Sequence, residues 1–138
     1  MSRASTTKDF LTLRSQALAA ARSFFAKRGV MEVDPGAIRR APPLDAHIDV
    51  MTVSVSDTEV GYLHTSPEYA MKQLLAQGAG DIYFLGHVYG KGEKGPRHNP
   101  EFTMAEWYRI GYNLSQMMDE TCDFIALFAG DLPRRIVP

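Results

Sequence analysis

Apolar residues recur along this chain at two spacings. In residues 11–29, "LTLRSQALAAARSFFAKRG", positions Ala17, Leu18, Ala21, Phe24 and Phe25 fall on one stripe of a 3.6-residue helix. Lys27, Arg28 and Gly29 are suitable closing chemistry, so a helix is expected over about 11–28. "VMEV" predicts a short strand stopped by Asp34, Pro35 and Gly36, and "RRAPPLDAHID" predicts irregular chain because Pro42 and Pro43 forbid a helix. "VMTVSVS" alternates as a strand does, with "EVGYLH" as its partner through Ser56, Asp57 and Thr58. A second helix is expected over 66–77. Thr65 would cap it with Glu68 reaching back, Pro67 would occupy its first turn, and Tyr69, Met71, Leu74 and Leu75 would supply its apolar contacts. "DIYFLGHVY" and "EFTMAEWYRIGY" read as strands on either side of the loop "GKGEKGPRHNP". Asn113 and Gln116 form a capping pattern for a last helix over 114–128, with Leu114, Met117, Met118, Ile125 and Phe128 as its face and Gly130 as its stop. Hairpins mixed with helices predict an α+β fold with an antiparallel sheet rather than a βαβ array.

One of these strands has a residue out of place. Phe102, Met104, Glu106, Tyr108 and Ile110 share a face of 101–110, and only Glu106 interrupts the apolar stripe. A buried carboxylate is expensive without a cation. The cation is either an internal Lys or Arg or the ammonium of a ligand, with Tyr108 lining the same pocket. Glu68 is a further candidate for that pocket, although capping its helix explains it equally well.

Composition changes the picture little. The 138 residues suffice for one domain, and 45% hydrophobic with 22% charged residues is the balance of a soluble globular protein. A net charge of −1 gives no reason to expect a general nucleic-acid or membrane-surface binder. The single cysteine, Cys122, excludes an internal disulfide framework and a Cys-rich zinc site, and reads as a small buried residue. No apolar run approaches the roughly 20 residues of a membrane span, and "MSRASTTKDF" lacks the hydrophobic region of a secretory signal. A cytoplasmic protein is expected, with no metal site.

The loop at 90–100 spells G-x-G-x-x-G through Gly90, Gly92 and Gly95. The dinucleotide reading of that pattern needs a following helix, and here Pro96, Pro100 and another strand follow. The loop also carries Lys91, Lys94, Arg97 and His98 against Glu93. It is either a solvated hairpin tip or a basic flap over an anionic ligand such as a nucleoside triphosphate.

The segment "HTSPEYAMKQLLAQGAGDIYFLGHVYGKGEKGPRHNPEFTMAEWYR" resembles the core of the class II lysyl-tRNA synthetase family. "HNPEFTM" is common to lysyl-tRNA synthetases, whereas "TSPEY" and "EWYR" are similar to the branch that modifies elongation factor P. The likeness runs from about residue 14 to 128. "RSFFAKRGVMEV" is similar to the first class II motif, used in dimerisation, and residues 81–109 to the second, which holds ATP.

The resemblance implies that residues 1–138 are the N-terminal part of a class II synthetase-like catalytic domain. It implies a ligase that uses ATP, with Mg2+, to activate lysine or (R)-β-lysine as an adenylate and pass it to a lysine of elongation factor P. By matching motif, Ser66, Pro67, Glu68, Glu106 and Tyr108 would bind the amino acid. Gly90, Lys91, Gly92 and Asn99 would stand at the ATP site. No residue is assigned a catalytic or metal-ligating role. A homodimer through the first motif is implied, without a tRNA partner. Where the family's second motif reads Arg-Asn-Glu, this chain has Gly90, Lys91 and Gly92, and its first motif ends in Asp34 rather than threonine before Pro35. The third motif is expected to lie outside these residues. The alternative is therefore an inactive paralogue or fragment that at most binds a ligand or partner.

Overall fold

The computed structural model describes residues 6–42, 49–92, 95–96 and 98–129. They fall into two compact units, Glu32–Tyr108 and a second formed by the described residues before and after it. The expectations for 43–48, Glu93, Lys94, Arg97 and Gly130 fall outside the described residues.

The second unit contains helix α1 (Thr7–Ala26) and helix α3 (Leu114–Ala129). α1 starts four residues before its expected position because Thr6 and Asp9 make a reciprocal capping box, each accepting the other's backbone N–H at 3.1 Å. The expected box of α3 forms: Asn113 Oδ1 accepts Gln116 N–H at 3.0 Å, and Gln116 Oε1 accepts Asn113 N–H at 2.9 Å. The expected α1 stripe is inward, with Ala21, Phe24 and Phe25 buried. The expected α3 stripe is not. Leu114, Met118 and Ile125 are exposed, while Phe124 packs on Phe24 and Phe25 at ring separations of 5.4 and 5.2 Å. The inward face carries buried Glu120, one turn from Phe124, and this acid hid the periodicity. Glu120 pairs with Arg28 at 3.6 Å and with Arg109 at 3.5 Å. Cys122 is exposed rather than buried, because it lies off that face.

The unit Glu32–Tyr108 holds the rest. Strands β3 (Thr52–Ser54) and β4 (Val60–Leu63) form the expected hairpin, with Val53 opposite Gly61. β2 (Ile38–Arg39), which runs only into the first residue of the stretch read as irregular, pairs with the other side of β4. Two residues are too few to leave a periodic signal. β5 (Ile82–Tyr89) and β6 (Glu101–Tyr108) pair antiparallel over their full length, from Ile82 opposite Tyr108 to Tyr89 opposite Glu101. β1 (Met31–Glu32) lies on the other side of β5, so the sheet order is β1-β5-β6. Helix α2 (Glu68–Ala76) contributes Met71 to a core with Ile82, Phe84 and Val88; Leu74, Leu75, Met104 and Tyr108 pack against it. Burying these aliphatic and aromatic side chains contributes about 1.5–3 kcal/mol each. Tyr69 stays largely exposed, contrary to the apolar role expected of it. The Thr65–Glu68 box does not form either. The helix begins two residues later, with Pro67 at the cap, and Ser66 Oγ takes the free N–H of Glu68 at 3.0 Å.

Candidate functional site

Antiparallel register fixes which side chains meet. Phe84 stands opposite Glu106 and Ile82 opposite Tyr108, so Glu106 and Tyr108 look out on the face that packs against α2. The turn into α2 delivers Ser66 to the same place. Ser66 Oγ donates to Glu106 Oε2 at 3.1 Å, and Tyr108 OH donates to Oε1 at 2.9 Å. Burial pushes the Tyr108 phenol well above its ordinary range, and the hydrogen bond to Glu106 adds to the effect. At neutral pH Tyr108 is therefore a neutral donor, and it brings no charge to the carboxylate.

Glu106 thus has two hydroxyl donors and, among the described residues, no ion pair. A carboxylate offers about four acceptor positions, so roughly two remain for a further donor. The partly buried setting strengthens whatever cation arrives.

The other expected site residues divide. Pro67 is fully buried at the start of α2, and Glu68 is tied to Ser66 through its backbone N–H. The Glu68 carboxylate turns to Lys72, one helical turn along, in an exposed pair that raises the lysine's ordinary range. Exposed pairs of this kind hold a side chain weakly. In the loop after β5, Gly90 N–H bonds to Pro100 O at 2.9 Å and Lys91 N–H to Asp49 O at 3.0 Å. Gly92 has φ +79°, a conformation that favours glycine. Asn99 is exposed. Gly95 and His98 bridge one another, and no helix begins among the described loop residues, so the dinucleotide pattern there lacks its anion-binding amides.

His64 and Gly86 escaped the sequence reading. His64, almost fully buried, uses Nε2 to reach the carbonyl of His87 at 2.9 Å and lays its ring edge-on to Phe84. With Ser66, Arg39, Arg40, Tyr69 and Gln73 it lines a cavity of about 530 Å³, whose lining includes Ser66, the hydrogen-bond partner of Glu106, but neither Glu106 nor Tyr108. A histidine between a strand and a capping segment has no sequence pattern of its own; only the sheet pairing reveals its contacts. Among the described residues no three His, Cys, Asp or Glu side chains cluster in a way that would hold a metal ion. No described helix is long and apolar enough to cross a membrane.

Comparison with known proteins agrees with this architecture. The tRNA synthetases class II (D, K and N) family matches residues 1–135. The chain is 43% identical over 122 residues to the elongation factor P–(R)-beta-lysine ligase of Vibrio vulnificus, covering 85% of this chain and 38% of that protein. It is 42% identical to the Yersinia enterocolitica protein of the same name and 39% identical to that of Hamiltonella defensa, in each case over 83% of this chain and 37% of the relative. The chain therefore spans under two fifths of the length of these curated relatives. With its α+β architecture and antiparallel β5–β6 pair, it belongs to the class II tRNA synthetases of the D, K and N group.

Proposed function

We propose that this chain is the N-terminal part of a catalytic domain that activates lysine or (R)-β-lysine with ATP and transfers it to a lysine side chain of elongation factor P. The observation that carries this reading is Glu106, a carboxylate held by two neutral hydroxyls with no direct ion pair among the described residues, the nearby Lys72 being paired with Glu68 and acting on Glu106 only through space. A substrate ammonium supplies the missing charge. Ser66 and Tyr108 orient the carboxylate, Glu68 adds negative potential, and Pro67 fixes the turn that presents Ser66.

The reaction has two steps. The amino-acid carboxylate attacks the α-phosphorus of ATP, and the bond to the β-phosphate breaks, releasing pyrophosphate. The amine of the acceptor lysine then attacks the acyl carbon and AMP leaves. Gly90, Lys91, Gly92 and Asn99 stand along the ATP side in this reading. Mg2+ would neutralise phosphate charge, but the described residues offer no cluster suited to hold it. The remaining assignments are cytoplasmic location, a homodimer through the first motif, and no tRNA partner.

A second reading, an inactive relative that retains only ligand binding, is favoured by one specific feature. Gly90 replaces the arginine expected against the α-phosphate, and a neighbouring lysine lacks the bidentate fork of a guanidinium. Losing one preorganised donor of this kind typically costs about 10²- to 10³-fold in rate. The test is lysine- or β-lysine-dependent exchange of labelled pyrophosphate into ATP. Exchange by the unaltered chain should be barely detectable and should rise with Gly90→Arg. Robust exchange without that change would mean that Lys91 or another loop cation serves instead. Absence of exchange with both proteins, while lysine still binds, would favour the inactive relative.

A further inference from the structure

Gly86 and Phe84 lie two residues apart on β5 and therefore on one face of the sheet. A β-carbon added to Gly86 would come within 2.6 Å of Phe84 Cζ and 2.9 Å of Cε2. The backbone at Gly86 is not among the left-handed glycines, so space and not torsion excludes a side chain there. The Phe84 ring lies along the strand and fills the volume that a residue with a β-carbon would occupy.

The surroundings determine where that ring would go if displaced. Met71, Ile82 and Val88 are fully buried in contact with its cluster. His64, edge-on to the ring at 5.8 Å, is pinned: its Nε2 meets the carbonyl of His87, its N–H donates to Ala37 O at 2.9 Å, and its carbonyl accepts Tyr89 N–H at 3.1 Å. Close-packed interiors yield little to such pressure. Across the ladder stands Glu106, only partly buried and held by two hydroxyl contacts.

We infer that Gly86 is a positioning residue of the Glu106 site: by having no side chain it parks the Phe84 ring along β5 and leaves the carboxylate free to meet an ammonium. Its meaning for substrate binding rests on the proposed function. The geometric part, that a side chain at position 86 drives Phe84 against Glu106, stands apart from it.

The test is NMR on the 138-residue chain with 13C-labelled glutamate carboxyls and 15N amides, comparing wild type, Gly86→Ala, Phe84→Leu and the double variant. In Gly86→Ala the Glu106 carboxyl and the Glu68 amide, which bonds to Ser66, should shift. Lysine affinity should fall about tenfold or more, as overpacking of a well-filled site leads one to expect. In the double variant both signals and affinity should return to those of Phe84→Leu, because a flexible aliphatic chain can yield to the added methyl. A folded Gly86→Ala with unmoved resonances, or a double variant that is not restored, would overturn the inference. If Gly86→Ala does not fold, the double variant must fold and behave as Phe84→Leu does; a double variant that stays unfolded would also overturn it. Shifts in Gly86→Ala alongside a wild type that ignores lysine would uphold the geometry and refute the amine site.

Discussion

Ser66 and Glu106, 40 positions apart in sequence, share a hydrogen bond of 3.1 Å from Oγ to Oε2. The same Ser66 oxygen accepts the N–H of Glu68 at 3.0 Å. A hydroxyl has one proton and two lone pairs, so these contacts fix its orientation: the proton goes to Glu106 and a lone pair to the helix. One side chain thus couples the start of α2 to the carboxylate on β6.

Ser66→Ala should cost both ends of that coupling. Leaving the Glu68 N–H without its acceptor resembles the loss of a helix cap, worth about 0.5–2 kcal/mol. Urea melts should show a stability loss in that range. Calorimetry should show a smaller fall in lysine affinity than Glu106→Gln produces, since the charge itself remains. A Ser66→Ala protein as stable as wild type would mean that water replaces the hydroxyl at no cost.

Alkaline pH should loosen the site through Tyr108. Its folded-state value is raised by burial and by Glu106. The stability it contributes is therefore fully present below the unfolded phenol value of about 10 and is lost as pH rises through the folded value. Tyr89 is raised as well, by burial and by Glu101, so the comparison needs Tyr89→Phe as background. In that background, melting temperature should fall more steeply above pH 10 with Tyr108 than with Tyr108→Phe. Parallel curves would show that Tyr108 is freely ionisable.

Much of this arrangement was legible in the sequence, and the gaps have physical reasons. Glu106 stood out because a period-2 stripe makes an intruder visible, and register then gave Tyr108 the same face. The partner strand and the Asn113 cap were equally local signals. What remained hidden depends on contacts between distant residues. Thr65 looked like the cap of α2, but buried Pro67 shifts the helix start and Ser66 serves instead. Glu120 broke the apparent stripe of α3 because nothing in its neighbourhood announces two arginines 92 and 11 positions away. Phe84 and Gly86 read as ordinary strand residues until a built β-carbon reveals the collision.

That pair of arginines leads to a stability prediction. Glu120 and the Arg109 side chain are both nearly fully buried, and Arg28 completes the cluster. Removing one partner of a buried pair strands the other charge, at about 3–5 kcal/mol. Glu120→Ala should lose stability of that order in a thermal or urea melt, and Glu120→Gln should lose less because an amide still accepts from guanidinium. A loss below about 1 kcal/mol, the level of surface pairs, would show that solvent screens the cluster.

The central claim is that the Glu106 carboxylate awaits an ammonium. The most direct measurement is an NMR titration of the chain with lysine and with (R)-β-lysine, observing the Glu106 carboxyl carbon, for wild type beside Glu106→Gln. In the wild type the Glu106 signal should move saturably, with the Glu68 amide moving in step. Glu106→Gln should weaken binding, by up to about 3–5 kcal/mol and by less where solvent reaches the site. Equal affinity of the two proteins, or saturable binding that leaves the Glu106 signal still, would contradict the account and make Glu106 a structural residue held by Ser66 and Tyr108.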